Sequence, residues 1–230
     1  MLLLFVAGII AMLCLPLPGV GAAGDRDALL YKVEILIPPK EGRDENADIQ
    51  QIKQTVEDLK DIKVIFAFKE LGNPSIVLVL DVEEACSWPQ LTGFLSRKGY
   101  EFSVASLYRC SDYSNRLGFN LPDDAWTYSF QDENLAMVTK VFPVGDLSTL
   151  EYNERLKMTF QQDLAILKSG QKGVCFRILA EYPVELVYFA PVSQMKVEAI
   201  DESLASPGLY ENEVKRIQNL ANYTAVCQGD

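Results

Sequence analysis

Residues 63–82 read KVIFAFKELGNPSIVLVLDV, and residues 172–192 read KGVCFRILAEYPVELVYFAPV. Each stretch opens on a lysine, runs through an apolar strand, turns at a proline and returns as a second apolar strand. Lys63 precedes Pro74 by the same separation as Lys172 precedes Pro183. Ser75 to Val82 is almost wholly apolar, the pattern of a strand buried on both faces. A helix-periodic segment precedes each copy, and an alternating strand precedes each helix. The chain therefore carries one α+β unit twice.

Outward from this pair, Leu29 to Ile37 reads as a strand, with Tyr31, Val33, Ile35 and Ile37 set apart from Lys32, Glu34 and Leu36. Pro38-Pro39 ends it. Ile49, Ile52, Val56 and Leu59 predict an amphipathic helix from Asp48 to about Lys60. Val64–Lys69 and Ser75–Val82 flank the turn at Gly72-Asn73-Pro74. Pro89 in a first turn, the stripe Leu91, Phe94 and Leu95, and Gly99 as C-cap predict a second helix. Phe102 to Cys110 completes a βαββαβ order.

The second half repeats it. Leu135–Pro143 is a strand, and Ser148–Lys168 a helix on Leu156, Phe160, Leu164 and Leu167, followed by Gly170. Val174–Leu179 and Val184–Ala190 are strands. Ser193–Ala221 reads as a helical region broken at Pro207-Gly208, its last part marked by Val214, Ile217 and Ala221, and Tyr223–Cys227 as the final strand. Cys110 and Cys227 then close the two repeats at equivalent places. The expected organisation is a signal peptide over 1–23, a first repeat over 24–110, a connector over 111–133 and a second repeat over 134–230. The connector's aromatics, Tyr113, Phe119, Trp126, Tyr128 and Phe130, suggest that it packs on the body of the protein.

The leader is uncharged and apolar from Leu2 to about Leu15, then broken by Pro16 and Pro18. That predicts a secretory signal peptide cleaved after Gly21, Ala22 or Ala23, hence a secreted, extracellular protein without membrane contact after cleavage. Cys86, Cys110, Cys175 and Cys227 remain as disulfide candidates, with three possible connectivities. Cys110 and Cys227, both at strand ends, are the expected participants. Cys175 stays free unless Cys110 lies on the adjoining strand edge. Asn222-Tyr223-Thr224 is a glycosylation sequon, whereas Asn73-Pro74-Ser75 is blocked by its proline.

Composition bounds the chemistry. The 230 residues are 49% apolar and 23% charged, as in a globular domain. The net charge of −11, with no basic run longer than Arg97-Lys98, argues against a nucleic-acid partner. There is no histidine. That removes Ser-His-Asp and Cys-His catalysis, the usual zinc sites and a His-ligated haem. No GxGxxG, Walker loop or CxxC occurs, and no metal or cofactor is expected.

What remains are polar residues inside apolar strands: Lys32, Glu34, Arg109, Lys140, Arg177 and Glu185. If Val33 and Ile35 face helices, Lys32 and Glu34 face the other side of the sheet. A carboxylate among apolar side chains can act as a general base, which makes Glu34 the candidate catalytic residue. Lys32, Arg177 and Glu185 join it as candidate ligand-binding residues. Ordinary ion pairs and solvated strand-end charges are the competing reading.

The βαββαβ order is ferredoxin-like. The first half goes further: LLYKVEILIPP (29–39) and GNPSIVLVLDVEEACSWPQLTGFLSRKGYEFSVASL (72–107) resemble muconolactone isomerase and its relatives. The likeness lies in a first strand ending in proline and a third strand running from Gly72 to Asp81-Val82. It covers about Leu29 to Leu107 and, more faintly, Leu135 to Cys227. The resemblance implies a dimeric α+β barrel. A tandem copy would build that barrel within one chain, as two packed ferredoxin-like repeats, so a monomer is expected. Several barrels of this superfold are haem enzymes, a role the missing histidine argues against, and no catalytic residue carries over. Three functions follow as expectations. One is a secreted barrel binding a small apolar or aromatic molecule in its interior. Another is an isomerase- or cyclase-like enzyme using a strand carboxylate for proton transfer. The third is a non-catalytic extracellular interaction module.

Overall fold

The computed structural model describes residues 29–119, 130, 134–168, 173–192 and 211–227. The leader and its cleavage sites, Trp126, Tyr128, Gly170 and the Pro207-Gly208 break lie outside the described residues. In chain order the elements are β1 (Leu30–Leu36), α1 (Glu45–Glu57), β2 (Ile62–Glu70), β3 (Ser75–Val82), α2 (Trp88–Lys98) and β4 (Glu101–Arg109). They continue with α3 (Cys110–Arg116), β5 (Leu135–Phe142), α4 (Thr149–Lys168), β6 (Val174–Ile178), β7 (Val184–Pro191), β8 (Glu211–Asn219) and α5 (Leu220–Cys227). A short 3₁₀ turn, Ala85–Ser87, leads into α2.

Local chemistry sets several boundaries. The Asp44 side chain accepts the Ala47 N–H at 3.1 Å and caps α1. Ser148 and Glu151 form a reciprocal capping box at the start of α4: the Ser148 N–H donates to Glu151 Oε2 (2.9 Å) and the Glu151 N–H to Ser148 Oγ (3.3 Å). Gly99 ends α2 with φ of 70°, a left-handed conformation that glycine adopts without steric cost.

The eight strands close into a barrel in the order β1-β3-β2-β8-β5-β7-β6-β4. Every pairing is antiparallel. Each half contributes four strands in the same relative order, β2-β3-β1-β4 and β6-β7-β5-β8, as a duplication requires. The two sheets meet at two short seams. At one, Phe68, Lys69 and Glu70 of β2 face Asn219, Gln218 and Ile217 of β8. At the other, Leu107, Tyr108 and Arg109 of β4 face Ile178, Arg177 and Phe176 of β6. Closure leaves neither sheet with a free outer edge at these seams.

Three apolar clusters follow from strand alternation. Inside the barrel, Leu30, Phe66, Phe68, Val77, Val79, Leu107, Leu135, Met137, Phe176, Phe189 and Ile217 meet. Outside the first sheet, Val33, Ile35, Ile76, Leu78 and Leu80 pack on Ile49, Ile52 and Val56 of α1 and Leu91 and Leu95 of α2. Outside the second sheet, Phe142, Cys175, Val184 and Leu186 pack on Tyr152, Leu156 and Phe160 of α4. The terminal helix of each half crosses to the other. Leu220 of α5 joins the first outer cluster, and Cys110 of α3 joins the second.

Three expectations need correction. Residues 211–219 form β8, not the last part of a helix. Tyr223–Cys227 lies in α5 and is not a strand. The residue equivalent to Cys110 is therefore Leu220, since each opens the helix after its repeat's last strand, and Cys227 is a turn and more beyond it. Accordingly Cys110 bonds Cys175, with Cα atoms 5.3 Å apart, while Cys227 is a free, exposed thiol. The reason is register. Arg109 pairs with Phe176, so the next step along the seam brings Cys110 to Cys175. Cys86 is not free either.

Candidate functional site

β1 turns Val33 and Ile35 outward to the helices, so Leu30, Lys32 and Glu34 occupy the inward face. Lys32 is the hub of an ion cluster there. Its Nζ lies 2.8 Å from Glu34 and 3.9 Å from Glu185 of β7. Lys215 of β8 reaches Glu34 at 3.7 Å and Glu213 at 3.7 Å. The Lys32 side chain is only 9% exposed, against 26% for Glu34 and 23% for Glu185. Two ammonium groups thus face three carboxylates on inward positions of β1, β7 and β8.

The two better-enclosed carboxylates are pushed in opposite directions. Burial alone would raise the Glu34 pKa, but the Lys32 ammonium and then Lys215 outweigh it and hold the group below the ordinary carboxylate value. Burial raises Glu185. Lys32 offsets this only in part, and the neighbouring charges of Glu181, Glu34 and Glu213 push it further up. Paired carboxylates with diverging proton affinities are the arrangement on which acid–base chemistry is built.

The other sequence candidates do not join this cluster. Arg177 points outward on β6, its guanidinium 4.6 Å from the centre of the Tyr113 ring. Lys140 is outward on β5, over Tyr188 at 5.2 Å. Arg109 lies at the opposite end of the interior, beside Leu30, Phe66, Val174 and Phe176. Asn222 sits in α5, with Thr224 of its sequon buried. Lys215 and Glu213 escaped the sequence reading because their segment reads as a helix. With polar residues on both alternating sets, Glu213 and Lys215 against Asn212 and Arg216, the segment offers no sequence signal of a strand.

The apolar end of the interior is filled by rings. Phe66 lies 5.5 Å from Phe130 and 5.8 Å from Phe68, and Phe68 lies 5.1 Å from Phe189. The void beside Arg109 measures only about 20 Å³. A larger cavity, about 250 Å³, opens at the β2–β8 seam. β2 runs on from Phe68 back to Ile62 without a β8 partner, and a bulge between Val64 and Phe66 bends it there. Val56, Val64, Phe66, Leu78, Phe130 and Leu220 form the apolar wall. Lys53 and Glu57, paired at 3.6 Å, supply charge at its rim. Among the described residues no group of three or more Cys, Asp or Glu side chains is placed to hold a metal ion. A haem held by histidine does not fit a chain without histidine.

No protein-family model and no curated protein matches the sequence. Solved structures do match the fold. A candidate monooxygenase from Fusobacterium nucleatum superposes with a TM-score of 0.51 at 7% identity, over 84% of this chain and 93% of that one. A mutant chlorite dismutase from Candidatus Nitrospira defluvii gives 0.54 at 12% identity, over 87% and 96%. A further chlorite dismutase-like structure gives 0.52 at 9% identity, over 86% and 99%. At such identities the likeness concerns architecture, and it spans almost the whole of each neighbour. This chain therefore has the fold of a dimeric α+β barrel, assembled from two ferredoxin-like halves of one polypeptide.

Proposed function

We propose that the protein binds a small apolar or aromatic molecule at the β2–β8 seam. The observation that carries this reading is the 250 Å³ cavity walled by Val56, Phe66, Leu78 and Phe130. Small-molecule sites are concave and mainly apolar, with few polar groups at the edge. The wall includes Phe66 and Phe130 of the interior ring cluster, so an aromatic guest would extend an existing set of ring contacts. Calorimetric titration with indole tests it. Saturable binding is expected, weakened about tenfold or more by Ala67→Phe, which fills the cavity from its wall. Absence of saturable binding, or binding untouched by that substitution, would refute the reading.

A second reading is favoured by one observation, the opposed displacement of Glu34 and Glu185 about a shared lysine. It is proton-transfer catalysis at this pair, with Glu34 the carboxylate kept ionised and Glu185 the one whose raised proton affinity suits it to carry the proton. Glu34→Gln should then abolish turnover while leaving indole affinity unchanged.

We also propose export from the cell. The apolar leader broken at Pro16 and Pro18 and the Cys110–Cys175 disulfide, which suits an oxidising compartment, support this.

A further inference from the structure

Arg177, set apart from the inward charge cluster, lines a cavity of its own. The cavity measures about 260 Å³ and lies over the outer face of the second sheet, between α3, α4 and the β6–β7 turn. Its polar groups differ in how fully they are used. The Tyr152 hydroxyl donates to the Phe142 carbonyl at 2.9 Å and accepts the Val184 N–H at 3.0 Å, so that ring is a fixed wall. Tyr182, exposed, stands 6.1 Å from it at the rim. Arg177 is different. Among the described residues it makes no ion pair, and its Nε is buried without a hydrogen-bond partner.

A guanidinium presents five donors in a planar fork that matches a carboxylate. A buried donor without a partner costs free energy, which a ligand acceptor would relieve. The guanidinium carbon lies over the Tyr113 ring, 4.6 Å from its centre, an attraction that uses none of the in-plane donors. The fold also holds this pair in place. Cys175 precedes Arg177 by two residues on the same outward face, and Cys110 precedes Tyr113 by three on α3. The Cys110–Cys175 bond thus ties the helix that carries Tyr113 to the strand that carries Arg177. Cavities of roughly 300–1,000 Å³ take drug-sized ligands, so 260 Å³ suits one ring rather than several.

We propose that this cavity binds a small single-ring carboxylate, with Arg177 anchoring the carboxylate and the tyrosines enclosing the ring. The proposal is independent of the seam cavity, which lies at the β2–β8 junction and shares no lining residue with this one. Glu181 also lines the site and opposes a bare anion, though exposure screens it. An aromatic amino acid would offer Glu181 an ammonium, whereas a plain aromatic acid would not.

Calorimetry on the full disulfide-intact chain, with benzoate, L-phenylalanine and benzyl alcohol as probes, tests this. At least one of the two acids should bind saturably, and benzyl alcohol about tenfold more weakly or not at all. Arg177→Gln should weaken the acid about tenfold or more, with indole binding at the seam unchanged. If that variant does not fold, Asn153→Trp, which fills the cavity from an exposed position on α4, should do the same. Glu181→Gln assigns the class: tighter benzoate with weaker phenylalanine marks an amino-acid site, and tighter binding of both marks a plain acid site. Failure of both acids to bind, equal binding of benzyl alcohol, or affinity that survives both cavity variants would overturn the proposal.

Discussion

At the scale of single residues, Lys32 keeps two carboxylates of opposite tendency side by side. Glu34, held below its ordinary pKa, contributes stability that is present above its unfolded value and is lost as pH falls through its folded one. Glu185, held above its ordinary pKa, does the reverse: its contribution is full at low pH and is lost as pH rises through the folded value. Lys32→Met would remove the shared countercharge. Breaking a buried ion pair leaves an uncompensated charge, and partial exposure of the carboxylates reduces the cost to about 2 kcal/mol at pH 7. In the variant both carboxylates lose the Lys32 charge that favours their ionised forms and hold a proton more tightly than in the parent, so the loss should shrink as pH is lowered from 7 to 4. Urea melts at a series of pH values measure this, and a pH-independent difference would contradict the role given to Lys32. The inward placement of Lys32 and Glu34 was legible because Val33 and Ile35 leave the alternation of β1 unambiguous. Arg177 obeys the same alternation and still points outward. At that end the interior is filled by Phe66, Phe176 and Phe189, so the apolar set of β6 faces in and the polar set faces out.

At the scale of elements, the strand–turn–strand pairs β2–β3 and β6–β7 were readable because they are apolar and punctuated by Pro74 and Pro183. β8 was not. Its inward positions carry Glu213 and Lys215, so the segment lacks the apolar alternation of a half-buried strand, and Val214, Ile217 and Ala221 mimic a helix. α5 shows the converse, since a run of five residues from Tyr223 is too short to separate period two from period 3.6. Leu220 and Thr224, four apart and both buried, are the helical signal there. The disulfide depends on seam register, which only the assembled barrel supplies. It joins residues 65 apart in sequence, at the junction of the two halves. Cys175→Ser should lower unfolding stability by about 4 kcal/mol on the loop-entropy estimate, and reductant should do the same to the unaltered protein. An unchanged denaturation midpoint in both experiments would show that the bond does not stabilise the seam.

At the scale of the whole molecule, each half is incomplete alone. Its barrel face needs the opposite sheet, and its outer core takes a helix from the other repeat: α5 packs on β2 and α1, and α3 on β6. The duplication announced this architecture, while the helix exchange does not show in the sequence because α3 and α5, of seven and eight residues, are too short to establish a helical period. Both proposed binding cavities depend on that exchange, since Leu220 of α5 lines one and Tyr113 of α3 lines the other. The claim beneath every functional reading is that the chain closes into one cooperative barrel. Two backbone bonds report on the seams directly: the Leu71 N–H donates to the Arg216 carbonyl, and the Leu179 N–H to the Ser106 carbonyl, each at 2.8 Å. Native-state hydrogen exchange read at these two amides should give the same opening free energy as the central-strand amides of β3, with the same dependence on added denaturant. Rapid exchange at Leu71 and Leu179 while β3 stays protected would mean two separate sheets, and would contradict the single barrel.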